Sequence, residues 1–134
     1  AAVALVFAVG IGGATVARRT IFDNDESVGF VAGPAVADYL LAEARAGDRV
    51  VVGNFVSPEV DYYLFVKGGK RFGDLEAPSR VERIVFILNE RQSQTPSSIQ
   101  TERPDVDWSK YATPVQLRKL ESASIWEAQR RETP

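Results

Sequence analysis

Apolar and polar positions alternate along this 134-residue chain in blocks of clearly different period. The block from Ala1 to Ala17 carries no charge and one hydroxyl, Thr15, and Arg18 and Arg19 close it. A membrane-spanning helix needs roughly 20 mostly apolar residues. The run therefore reads as the outer end of such a helix or, alternatively, as a buried strand. Residues 20–33 form an acidic connector around Asp23, Asp25 and Glu26. Beyond it, Pro34 suits a first helical position, and Val36, Tyr39, Leu40 and Ala44 recur at helical spacing up to Gly47. The reading D-R-V-V-V-G from Asp48 to Gly53 predicts a strand buried on both faces. Ser57-Pro58-Glu59 opens a second helix with Ser57 as its cap, and Gly68-Gly69 ends it.

In the second half, Lys70 to Phe72 reads as a short strand, Gly73 to Ser79 as a turn, and Val81 to Leu88 as a second strongly apolar strand. Residues 92–107 are rich in Pro, Ser, Thr and Gln and read as a long polar surface loop. Thr113, Pro114 and Gln116 match a capping box opening a short helix with Val115, Leu117 and Leu120. Ala123 to Ala128 alternates and reads as a closing edge strand. The order of elements predicts a small three-layer α/β domain over residues 34–131, built on a mostly parallel sheet of about four strands.

Composition narrows the chemistry. Sixteen basic residues against eighteen acidic ones give a net charge of −2, without the basic face that nucleic-acid binders carry. The chain has no Cys and no His, which removes thiol nucleophiles, thiolate metal sites and every His-dependent triad. No catalytic residue, metal site or cofactor is expected, and a self-contained enzyme is disfavoured. Gly10-Ile11-Gly12-Gly13-Ala14-Thr15 is an incomplete dinucleotide fingerprint, since Thr15 stands where Gly or Ala is needed. Asp23, Asp25 and Glu26 lack the glycine and distal glutamate of a calcium loop.

The candidate ligand-binding residues lie in two places. Asn54 and Ser57 occupy the turn that leaves the valine strand, with Tyr62 and Tyr63 following, where open α/β sheets commonly bind ligands. Glu59 and Asp61 already answer the helix dipole there, so sugar hydroxyls suit this turn better than phosphate. Gln94 to Thr101 in the polar loop is the second place. Lys67, Lys70 and Arg71 beside Phe72 form a basic patch able to touch lipid phosphates.

The pieces Val36 to Leu41, Gly47 to Val52, Pro58 to Leu64 and Arg83 to Leu88, with the tail Ser122 to Arg131, together resemble the soluble C-terminal part of multi-spanning GT-C glycosyltransferases. These are relatives of protein mannosyltransferases and aminoarabinose transferases that use polyprenyl-phosphate sugars. The resemblance implies a small α/β domain after a last membrane helix, on the extracytoplasmic face. It also implies that the catalytic acid lies in an early loop outside this chain. The expected function is thus a non-catalytic, membrane-associated domain that helps place the acceptor or the lipid-linked sugar donor. Its partners would be the membrane and the remainder of a larger membrane protein, with no nucleic acid. The alternative is a free-standing soluble or membrane-anchored α/β binding module, cytoplasmic if soluble; a nucleotide-using enzyme built on the glycine-rich start is a third reading.

Overall fold

A computed structural model describes residues 30–53, 56–76 and 80–132. The apolar segment 1–19 with its glycine run and most of the acidic connector, including Asp23, Asp25 and Glu26, lie outside the described residues. So does Asn54.

The chain opens with helix α1 (Gly33–Glu43), which has Pro34 in its first turn. It ends at Glu43, short of the expected end at Ala46 just before Gly47, and Gly47 instead takes φ +90 in the turn that follows. Strand β1 (Asp48–Val52) comes next, then helix α2 (Ser57–Gly68), which stops at Gly69 in the left-handed conformation. Val56 occupies the N-cap position of α2, so Ser57 lies inside the first turn and is not its cap. Where a strand was expected from Lys70 to Phe72, the chain turns into the single-turn helix α3 (Gly73–Glu76). Strand β2 (Arg83–Asn89) is buried at all seven positions, its apolar run Ile84 to Leu88 lying between the polar Arg83 and Asn89.

The segment expected as loop 92–107 holds helix α4 (Pro96–Glu102) and a 3₁₀ turn at Trp108–Lys110 follows it. Thr95 and Ser98 close a reciprocal capping box that starts α4. The predicted helix after Thr113 is instead strand β3 (Val115–Lys119), joined by a short turn to β4 (Ala123–Gln129). Pairing with β4 satisfies the β3 backbone, which a short, fully exposed helix could not do as cheaply.

The four strands lie in the order β1-β2-β4-β3. Only β1 and β2 are parallel; β2 with β4 and β4 with β3 run antiparallel. The expected mostly parallel sheet is therefore corrected to a mixed α/β sheet. The tight β3–β4 turn reverses the chain, and a reversal of that length can join only antiparallel neighbours. That same insertion makes β4 an inner strand, not the closing edge.

One face of the sheet packs Val50, Val85, Ile87 and Ile125 against Val36 and Leu40 of α1 and Val60 and Leu64 of α2. The other packs Val51, Ile84, Phe86 and Leu88 against Ile99 of α4 and Val106, with Trp108 stacked on Phe86 at 5.4 Å. Among the described residues no helix is long and apolar enough to cross a membrane.

Candidate functional site

The structure separates the residues that sequence reasoning had grouped. Tyr62 is 58% exposed on α2, while Tyr63 turns inward, meets Tyr62 edge-on at 5.1 Å and packs against Gly33. Gln94 folds back over the end of β1: its Oε1 accepts from the Asn89 N–H at 2.9 Å, and its amide lies so close to Gly53 that a Cβ there would push the Gln94 side chain aside. The polar segment and the strand-end turn thus meet through Gln94 and Gly53. Thr101 does not join them, because its hydroxyl donates to the Ser97 carbonyl within α4.

The basic patch is also divided. Lys67 pairs with Asp38 at 2.6 Å and reaches the Pro34 carbonyl. Arg71 pairs with Asp61 at 2.8 Å and lies 4.3 Å over the Phe65 ring, while Lys70 is exposed and makes no ion pair among the described residues. The Phe72 N–H and then Arg71 hold the Asp61 carboxyl below its usual range. Beside these groups α2 presents an unusual outer surface. Tyr62, Phe65 and Val66, at i, i+3 and i+4, are each at least half exposed, although Val60 and Leu64 fill the opposite, buried stripe.

The densest polar arrangement lies at the other end of the sheet, where β1 and β2 begin. Asp48 and Arg83 stand in register across the parallel pair. Arg83 donates from Nε and Nη2 to both Asp48 oxygens and from Nη1 to Glu127 Oε2 at 2.9 Å. The Arg83 side chain is 8% exposed, and these hydrogen bonds outweigh its burial and raise its pKa further. Above this triad a cleft of about 420 Å³ opens between the C-terminal part of α1 and β3. Tyr39, Glu43 and Arg45 form one wall, Leu117 and Arg118 the other, and Arg83, Glu127 and Gln129 the floor. Burial, reinforced by Glu43, Glu127 and Asp48 against the opposing pull of Arg83, raises the Tyr39 pKa, so its hydroxyl stays a donor at neutral pH.

Sequence reasoning missed this triad. The available signal was the pair of opposite charges, Asp48 and Arg83, that head the two most apolar strands. A charge at the first position of a buried strand needs a partner at the same level of the sheet.

Among the described residues no group of three or more carboxylates is placed to hold a metal. No protein-family model, no curated protein and no solved structure matches this chain.

Proposed function

We propose that this chain is a non-catalytic accessory domain of a membrane-embedded glycosyltransferase that uses a lipid-linked sugar. It sits on the extracytoplasmic face, with the outer stripe of α2 against the lipid surface. In this reading the sheet is the middle layer of three, and the domain holds the acceptor or the donor near the catalytic part of the larger protein.

The observation that carries the reading is α2 itself. A helix with apolar residues on an outer stripe as well as on its core-facing one is normally covered on both. Here Val60 and Leu64 are covered by the sheet, while Tyr62, Phe65 and Val66 face outward. Lys70 at the end of that stripe complements the phosphates of lipid headgroups, such a charge contributing about 1 kcal/mol near an anionic surface, while the charge of Arg71 beside it is already answered by Asp61. The resemblance of the α1, β1, α2 and β2 segments to the GT-C domain supplies the enzyme class.

Flotation of the chain without its apolar start, residues 1–19, with vesicles of phosphatidylethanolamine and phosphatidylglycerol tests it. Phe65→Ser combined with Val66→Ser lowers the vesicle-bound fraction about tenfold, given the apolar area removed. Unchanged flotation of the variant overturns the lipid-facing placement. In membranes that carry out transfer from a polyprenyl-phosphate sugar, deletion of residues 34–131 from the polypeptide that contains them abolishes transfer. Full activity without the domain overturns its role in placing substrate.

A further inference from the structure

We propose that the cleft between α1 and β3 is a binding site for a neutral polyol the size of one pyranose ring. It deepens the proposed function by giving a sugar a place, and rests on that reading only for where the sugar comes from.

The lining has the chemistry for such a ligand. Planar side chains with two polar atoms in fixed geometry suit adjacent hydroxyls, because each can donate or accept twice in one plane. Arg45, Arg118, Glu43 and Gln129 supply four of them around the Tyr39 ring. Among the described residues the Tyr39 hydroxyl has no hydrogen-bond partner, and the Arg45 and Arg118 guanidinium groups and the Glu43 carboxylate make no ion pair. Glu127 uses Oε2 for both Arg83 and Gln129, and among the described residues its other oxygen is unengaged. The floor is rigid, since Arg83 is locked to Asp48 and Glu127, so the acceptors are held in place before a ligand arrives.

Charge selects against an anion. Three arginines, Arg45, Arg83 and Arg118, are balanced by Glu43, Glu127 and Asp48, so a phosphate gains no net attraction. A cleft of this size falls within the usual range of small-molecule sites, roughly 300–1,000 Å³.

A second, independent observation is the β-bulge in β3. Gln116 faces Trp126, but Arg118, not Leu117, faces Ile125. In an unbroken ladder Leu117 would oppose Ile125 and Arg118 would point to the Trp126 face of the sheet. The extra residue moves Arg118 to the α1 face and into the cleft. Bulges that re-aim one side chain occur preferentially beside binding and active sites.

Titration of the ¹⁵N-labelled chain, without vesicles, with methyl glucopyranoside, N-acetylglucosamine and inorganic phosphate tests the site. The two sugars shift the amides of residues 39–45, 116–118 and 127–129 with millimolar affinity, and phosphate does not. Tyr39→Phe, which removes only the hydroxyl, and Arg118→Ala, on an exposed edge, each weaken the sugar response about tenfold while the remaining spectrum is kept. Three results overturn the proposal: no sugar response, a phosphate response as strong as that of the sugars, or a sugar response that survives both variants. Vesicle flotation with the α2 variants is read separately, so failure of the cleft and failure of the membrane placement are told apart.

Discussion

Arg83 shows how a charge can sit inside a small sheet. Its three hydrogen bonds to Asp48 and Glu127 replace the water it gave up, and truncation leaves two carboxylates without their counter-charge. Arg83→Ala is therefore expected to cost about 3–5 kcal/mol in urea unfolding. A loss below 1 kcal/mol would show that water reaches the triad. Asp105, on the opposite face, gives a pH signature. Arg103 first and Arg49 second hold its carboxyl down at about 2. In the unfolded chain an aspartate titrates near ~3.9. The folded value is the lower one, so the stability Asp105 contributes is complete above the unfolded value and is lost as pH falls toward about 2. Asp105→Asn removes that part of the acid dependence, and the Asp105 side-chain carbon titrates in ¹³C spectra with a midpoint near 2. A midpoint near the unfolded value would contradict the pairing. Of these charges the sequence alone showed only that Asp48 and Arg83 head apolar runs. Asp105 sits in a stretch that reads as solvated loop, and its partner Arg49 lies 56 residues away.

At the scale of elements, legibility followed the strength of the local code. The helix beginning at Gly33-Pro34 and the valine and isoleucine strands were readable because their periods are long and their neighbours are turn residues. Two segments failed for opposite reasons. Helix α4 was hidden because its capping box has Ser98 at the third position, where glutamate or glutamine is the familiar signal, so only the geometry of Thr95 and Ser98 reveals it. Thr113 and Gln116 satisfy the familiar signal and yet precede a strand. There the alternation of Val115 and Leu117 with Gln116 and Arg118 was the better guide, and pairing with β4 decided the outcome. Thr95→Ala is expected to cost about 1 kcal/mol, seen as a lower urea midpoint with an unchanged slope. Thr113→Ala, which caps nothing, leaves the midpoint within about 0.5 kcal/mol. Equal losses in both would refute the assignment.

For the whole molecule, the mixed sheet could not be read from the order of elements, because strand neighbours depend on how the β3–β4 hairpin docks. Its central placement of β4 rests on side chains from both ends of the domain: Ile125 meets the α1 and α2 core, and Ala128 meets the other. The outward stripe of α2 is the complementary case. Its low amphipathic contrast was present in Val60-Asp61-Tyr62-Tyr63-Leu64-Phe65-Val66, but only the packing distinguishes the covered stripe from the open one. Tyr62→Ser, Phe65→Ser and Val66→Ser each change unfolding stability by less than about 0.5 kcal/mol, in contrast to about 2–5 kcal/mol for Leu64→Ala. If the outer variants unfold the domain as readily as the inner one, that stripe is structural.

The last of these four strands to be synthesised is the one that divides the sheet. Until β4 leaves the ribosome, β2 has a vacant hydrogen-bonding edge along seven consecutive positions that end up buried. A nascent polypeptide stopped at Lys119 would offer that ladder to any other extended chain. Cooperative folding must therefore wait for Gln129, and a truncated product is expected to collect in inclusion bodies instead of retaining a partial domain.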